Sequence, residues 1–328
     1  MATIGIPRTL TYFFDFPFWH AFFTALGQRV VVSQPTSRAT LDRGVACAES
    51  EICLPVKLVH GHVAELSGAC DLVFVPRVVA VRRFGEYGRE SMCPKLLGLP
   101  DMLLANLPAA PPLLHPHVDL RQGWRGRWRV ARELGRQLGA GDCRCLQALW
   151  CARRAQREYR RLLRRGLPAP EAIEAVVNGK APAPRPPAGP IVAVLGYPYL
   201  LYDSYVNAGV LRMLQRAGID VRTQDSLWWR DIAGQGRRLP KELFWYFSNR
   251  ILHAGMYFAA QPQVAGIVHL SAFACGPDSM LRKMLEIAAR RANTPFLALT
   301  LDEHAADVGL RTRVEAFVDM LEWRRRER

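Results

Sequence analysis

The sequence lacks several features that would place the protein in a familiar class. No stretch approaches the roughly 20 consecutive apolar residues that a membrane-spanning helix needs. The first residues carry neither the basic start nor the apolar core of a signal peptide. We therefore predict a soluble, cytoplasmic protein with no membrane partner. Glycine loops of the kinds that hold ATP or dinucleotide phosphates are also missing.

Lysine is scarce, although the chain is strongly basic. Only five of the 44 basic residues are lysines, and the formal net charge is +15. Residues 121–165 contain 14 arginines against three carboxylates, so most of the excess charge lies in this segment. Three interpretations remain open: a solvated helical face, a docking face for an acidic partner, and a nucleic-acid surface, which the absence of a nucleic-acid motif disfavours.

The length of 328 residues and the apolar content of 50% indicate a globular protein of more than one domain. Residues 1–120 and 191–328 each alternate short β-branched runs with helical stretches. That rhythm is typical of parallel sheets covered by helices. Residues 121–190 contain no strand-like run and end in a proline-rich linker at 181–190. The sequence thus predicts an α/β fold of two Rossmann-like parallel-sheet domains with a helical insert between them.

Local patterns place several elements. Strands are predicted at 4–6, 30–32, 72–75, 191–195, 264–270 and 296–301. Asp15 is expected to cap a helix that ends at Gly27, and a second helix is predicted over 203–217. Matching glycines and prolines at an offset of 191 residues leave an internal duplication open.

Close cysteine pairs are also lacking, since no C-x-x-C is present among the eight cysteines. Cys53, Cys93 and Cys275 nevertheless share one setting, because a proline follows each within two residues and a helix-like run comes next. Proline suits the first turn of a helix, so all three thiols are predicted at helix N-termini, where a thiolate is favoured. Three such thiols at one cleft would suit an iron–sulfur cluster. The alternative is that they are buried small residues beside turn prolines.

The other candidate ligands are less well placed by their spacing. Cys143, Cys145 and Cys151 lie in a helical segment that points them apart, so we predict core or surface thiols. His60 and His62 should also diverge on a helix, although one could face a cleft. For the run Asp302–His304, which follows a strand, an acid–base or ligand-orienting role and a helix cap remain open.

A set of ordered motifs resembles one protein family. The set comprises 4–8, Phe16–Trp19, Glu51–Lys57, His60–His62, Cys93–Asp101, Gly196–Tyr199, Cys275–Ser279 and Leu301–His304. Together they resemble the acyl-CoA dehydratase activase-related proteins. They are similar to the D-component-like subunits of 2-hydroxyacyl-CoA dehydratases and benzoyl-CoA reductases.

The resemblance implies a [4Fe-4S] cluster held by three cysteines, which fall on Cys53, Cys93 and Cys275 here. Related proteins hold a larger double-cubane [8Fe-9S] cluster. The family receives electrons from a separate iron–sulfur activator that consumes ATP. In the dehydratases one electron reaches a 2-hydroxyacyl-CoA, and the resulting ketyl radical expels the hydroxyl group. A related second subunit or a homodimer is also implied.

Two motifs depart from the family pattern. Tyr197 stands where the family has histidine, and Ala305–Gly309 replaces a Thr-Gly-Glu-Ala-Gly sequence. The chain is therefore expected to be an iron–sulfur redox protein that passes an electron to a small molecule or acyl-CoA. Whether it is an enzyme stays open, the alternative being a non-catalytic cluster-binding scaffold or regulatory subunit.

Overall fold

The computed structural model describes residues 1–82, 88–179, 189–239, 241–303 and 307–327. Its strands are β1 Thr3–Ile6, β2 Arg29–Val32, β3 Leu72–Phe74, β4 Arg77–Ala80, β5 Leu113–Leu114, β6 His117–Asp119, β7 Ile191–Gly196, β8 Asp220–Arg222, β9 Val264–Ala272 and β10 Phe296–Leu301. Its helices are α1 Tyr12–Ala25, α2 Arg38–Cys47, α3 Leu54–Glu65, α4 Pro94–Leu97, α5 Leu99–Asn106, α6 Trp124–Gln137, α7 Asp142–Arg164, α8 Ala169–Asn178, α9 Pro198–Tyr202, α10 Val210–Arg216, α11 Trp229–Ala233, α12 Tyr246–Ala259, α13 Gly276–Arg291 and α14 Asp307–Arg326.

Two four-stranded parallel sheets organise the chain, which confirms the predicted α/β fold class. The first has the order β2-β1-β3-β5 and the second the order β10-β9-β7-β8. In both sheets the strand that comes first in the chain, β1 or β7, lies between the second and the third strands of that sheet. The fourth strand, β5 or β10, pairs with the third at the edge. This shared order supports the internal duplication suggested by the glycine and proline offsets. A separate parallel pair joins β4 to β6.

The helical segment α6–α8 packs against α1 of the first sheet. Pro17 lies inside α1 and has no N–H, so the Phe13 carbonyl loses its intrahelical donor. The fully buried Tyr159 of α7 donates its hydroxyl to that carbonyl instead. Gln156 donates to the next carbonyl, that of Phe14, at 2.9 Å. The proline thus creates the acceptor that anchors the arginine-rich helix.

Two helix predictions are wrong. Asp15 does not cap α1, because this helix begins earlier, at Tyr12. The Asp15 carboxylate instead accepts a hydrogen bond from the Trp19 indole N–H at 3.0 Å. The helix predicted over 203–217 forms only at its end, as α10, because Ala208 and Gly209 adopt left-handed backbone conformations. Most of the linker predicted at 181–190 and His304 lie outside the described residues. In the parts of the chain that the structure describes, no helix is both long and apolar enough to cross a bilayer.

Candidate metal centre

Each of the three cysteines singled out from the sequence is the N-cap of a helix. Cys53 precedes α3, Cys93 precedes α4 and Cys275 precedes α13, with proline at the first or second helical position in all three cases. Backbone N–H groups in the first turn of each helix lie close enough to the sulfur to lower its pKa, as expected at a helix N-terminus. The predicted helix-terminal placement is confirmed, and each sulfur remains available to another partner.

The three thiols line one cavity of about 820 Å³, here called the thiol cavity. Cys53 and Cys93 come from the half of the chain that builds the first sheet, and Cys275 follows β9 of the second sheet. Lys95 and Tyr199 also line the cavity, and Phe244 and Met280 expose more than half of their surfaces. The cavity therefore combines three soft donors with a mainly apolar, open rim.

Burial overrides the helix dipoles in setting the charge of the thiols. It raises the pKa of Cys53 and of Cys93, and it raises the pKa of Cys275 to about 12, with the Asp278 carboxylate adding to the rise. The backbone N–H groups at the helix starts do lower these pKa values, as expected, but burial outweighs them, so the net shift favours the protonated thiols. Ionising one of the three thiols also opposes ionisation of the others, which places them within electrostatic reach of one another.

The described residues contain no three Cys, His, Asp or Glu side chains gathered closely enough to hold a single metal ion. A lone tetrahedral ion needs thiolate sulfurs about 4 Å apart, because zinc–sulfur bonds are about 2.3 Å long. A cluster of several irons is bound at different corners, so its sulfurs stand farther apart. The three thiols around the cavity are of the donor type that an iron–sulfur cluster requires, so the residues present are chemically compatible with such a group.

The fully buried carboxylate of Asp278 stabilises the turn that carries Cys275. Asp278 Oδ2 accepts from the Ala272 backbone N–H at 3.3 Å, and Oδ1 lies 3.1 Å from Nε2 of the buried His269. Ala274 adopts a left-handed backbone conformation with φ of 60° in this turn, and Leu10 does so with φ of 52° elsewhere on the cavity wall. Non-glycine residues rarely adopt this conformation, so packing must hold both segments in place.

Lys57 joins the two sheet regions beside the thiol cavity. Its ammonium group donates to both Glu303 carboxylate oxygens, at 2.9 Å and 2.6 Å, and the lysine side chain is only 5% exposed. Glu303 follows β10, so the run Asp302–His304 supplies a structural ion pair at this position. Lys57 is consequently neutralised, whereas Lys95 lines the cavity itself.

His60 and His62 diverge, as their spacing predicts, and neither lines the thiol cavity. His60 Nδ1 meets the Val56 carbonyl at 2.8 Å. His62 lies in a chain that sequence reasoning missed: Ser33 Oγ is 2.9 Å from Nδ1, Thr36 Oγ1 is 3.0 Å from Nε2, and Thr36 donates to the Asp203 carboxylate. Because the Thr36 hydroxyl donates its hydrogen to Asp203, it must accept a hydrogen bond from Nε2–H of His62. The imidazole is therefore assigned as neutral, with Nδ1 accepting a hydrogen bond from the Ser33 hydroxyl.

The buried His62 makes stability depend on acidity. Burial lowers its pKa from 6.5 to about 4, with the Arg8 charge contributing. Between pH 6.5 and about pH 4 the unfolded chain therefore binds a proton on this histidine, whereas the folded chain does not. The free energy of unfolding should consequently fall as pH drops through this window, by up to about 3 kcal/mol.

His62→Gln should remove that share of the pH dependence, measured by urea unfolding at pH 7 and pH 4.5. Other buried groups titrate in the same window, since burial lowers the pKa of His253 to about 4 and raises that of Asp15 to about 7, so only the His62 share of the slope should disappear. An unchanged slope in the variant would show that His62 is not the titrating group.

Comparison with known proteins identifies the family of the chain. The family described as "CoA enzyme activase uncharacterised domain" matches residues 3–227. The chain belongs to this family. The matched CoA enzyme activase region spans the first sheet, the helical segment and the start of the second sheet, and it includes Cys53 and Cys93, whereas Cys275 lies beyond it. No curated protein matches the chain.

The remaining cysteines do not approach the thiol cavity lining. Cys143 is exposed, Cys151 is partly buried, and Cys145 is buried at the crossing of α6 and α7 beside Gly135. This confirms the prediction of core and surface thiols. Tyr197 is buried, and its hydroxyl is 2.7 Å from Ser248 Oγ.

Proposed function

We propose that this chain is an iron–sulfur redox protein of a CoA enzyme activation system. In this proposal Cys53, Cys93 and Cys275 hold a [4Fe-4S] cluster. The observation that supports it is the convergence of three helix-capping thiols, from both sheet regions, on one cavity. When bound, the cluster supplies a one-electron carrier with one iron left free of a protein ligand.

The residues around the thiols suit a negatively charged group and a small substrate. Three helix N-termini direct backbone N–H groups and positive dipole ends toward the cavity, and Lys95 adds a cation. The volume of about 820 Å³ lies within the ordinary range for small-molecule sites. The electron donor in this proposal is a separate ATP-dependent iron–sulfur activator, and the acceptor is an acyl-CoA or another small molecule.

Anaerobic purification followed by iron, sulfide and electron paramagnetic resonance measurements tests the proposal. We expect iron and sulfide that copurify with the chain, and an electron paramagnetic resonance signal of the reduced cluster that an activator produces only when ATP is present. The iron-to-protein ratio distinguishes a [4Fe-4S] cluster from a double-cubane [8Fe-9S] cluster. A chain that stays iron-free after anaerobic reconstitution would rule out the proposal. Turnover of acyl-CoA would exclude a purely scaffolding or regulatory role.

Lys95 provides a quantitative test of the electrostatics. Its charge lowers the pKa of Cys53 against the larger effect of burial, so it acts on this site. Lys95→Gln removes a positive neighbour without removing a sulfur ligand. The midpoint potential should become more negative, by about 40 mV for each kcal/mol of lost interaction.

Potentiometry on both proteins measures this shift. Lys283→Gln is the matched control, because Lys283 is exposed on α13, pairs with Glu286 at 3.1 Å and does not line the cavity. An unchanged or more positive potential in Lys95→Gln would contradict a cluster beside the Cys93 turn.

A further inference from the structure

A second concave surface lies between α7 and the segment Asp225–Trp229, and we call it the arginine cleft. Its volume is about 930 Å³. Arg82 after β4, Phe13 and Phe14 of α1, and Arg250 of α12 complete its walls. A ligand bound there would touch the first sheet region, the helical segment and the second sheet region together.

The cleft carries positive charge that the described structure does not neutralise. Seven arginines line it, against the carboxylates of Glu158 and Asp225. Glu158 pairs with Arg161, and Asp225 pairs with Arg250 at 2.8 Å. The other five have no carboxylate partner among the described residues: Arg82, Arg154, Arg157, Arg160 and Arg164.

Arg160 shows how the cleft concentrates this charge. Its side chain reaches the solvent in the cleft, yet desolvation by the surrounding protein lowers its pKa. The charges of Arg82 and Arg250 also lower this pKa, whereas those of Tyr246 and Asp15 raise it. Holding like charges together in a concave, partly desolvated site is unfavourable unless an anion offsets them. Guanidinium groups bind phosphate oxygens in paired hydrogen bonds, which makes phosphate the anion that this set matches best.

Aromatic rings accompany the arginines. Trp150, Trp228 and Trp229 line the cleft and are 57%, 52% and 42% exposed. The guanidinium of Arg164 lies 3.9 Å from the centre of the Trp228 ring, and that of Arg82 lies 4.8 Å from the centre of the Trp229 ring. Exposed rings beside a basic surface are stacking platforms for a nucleobase.

The shape of the cleft decides which kind of occupant fits. A partly open cleft of about 930 Å³ has the size of a small-molecule site, whereas nucleic acid and acidic proteins need an extended groove or face. We propose that the arginine cleft binds a nucleoside polyphosphate, with its phosphates on Arg157, Arg160 and Arg82 and its base against Trp228 or Trp229. This site is separate from the thiol cavity and does not depend on a bound cluster.

Calorimetric titration of the full chain with ATP, inorganic triphosphate and adenosine tests the proposal. ATP should bind most tightly, triphosphate more weakly, and adenosine least. Arg160→Gln and Arg157→Gln should each weaken ATP binding about tenfold, since each removes charged hydrogen bonds. Trp228→Leu should weaken ATP binding about tenfold and leave triphosphate binding within about twofold.

Arg136→Gln is the matched control, because Arg136 is exposed on α6 of the same helical segment and does not line the cleft. If Arg136→Gln lost as much ATP affinity as the cleft variants, the binding would depend only on the net positive charge of the segment, and the proposal would be overturned. ATP that binds no more tightly than adenosine would overturn it as well. Tighter binding of a single-stranded oligonucleotide or of polyglutamate would instead identify a nucleic-acid or protein surface. Iron content is expected to stay unchanged in all variants, which separates this test from that of the proposed function.

Discussion

Replacing Cys53, Cys93 or Cys275 with alanine is expected to reduce bound iron and sulfide at least tenfold. Each thiol supplies a third of the proposed protein ligands, and no other cysteine of the described chain lines the thiol cavity. Loss of one ligand exposes a second iron to solvent and leaves the group weakly held. Iron and sulfide analysis after anaerobic purification measures the effect.

Cys151→Ala is the control for this series, because Cys151 lies on α7, away from the thiol cavity. It should keep the full iron content. Circular dichroism should show that all four variants are folded, since Cys93 and Cys275 are only partly buried. A Cys93→Ala protein with wild-type iron content would remove Cys93 from the proposed ligand set.

Gly61→Ala should lower the free energy of unfolding by about 4 kcal/mol or more. Gly61 lies where α3 crosses α2, and an added Cβ there would stand 2.0 Å from the Thr40 carbonyl oxygen. A Cβ added to Gly44 on α2 would likewise stand 2.0 Å from the Lys57 carbonyl oxygen. Because the obstacle is backbone, the helices must separate. Since α3 begins at Cys53, this movement should also reduce cluster loading.

Gly309→Ala gives the matched comparison for Gly61→Ala in urea unfolding. Gly309 lies near the start of α14, and among the described residues no atom outside its own helix backbone stands within 4 Å of an added Cβ. Alanine favours the helix over glycine, so this variant should gain up to about 1 kcal/mol. If both variants unfold at the wild-type urea concentration, the close crossing of α2 and α3 does not limit stability.

The sequence predicted those features of the site that depend only on neighbouring residues. A proline one or two residues after each of Cys53, Cys93 and Cys275 was sufficient to place all three at helix starts, because proline fits the first turn. The strands were also found, since buried parallel strands read as short apolar runs. The role of the thiols as ligands stays a prediction.

Contacts between distant segments could not be read from the sequence. The Lys57–Glu303 pair and the Thr36–Asp203 hydrogen bond each join residues far apart in the chain. The arginine cleft likewise needs Trp228 and Arg250 to complete a surface that α7 only begins. The helix prediction at 203–217 failed for a local reason, because Ala208 gave no sign of its left-handed conformation.

The wide separation of the thiols along the chain sets an order of events during synthesis. More than half of the sequence lies between Cys93 and Cys275. At ordinary translation rates about 10–40 s pass between the emergence of the two residues. Any group that needs all three sulfurs can therefore be completed only after Cys275 has emerged from the ribosome. Tyr199 and Phe244, which help to enclose Cys53 and Cys93, also belong to the later part of the chain. The burial that raises the pKa of these two thiols is therefore complete only when the second half of the chain has folded over them.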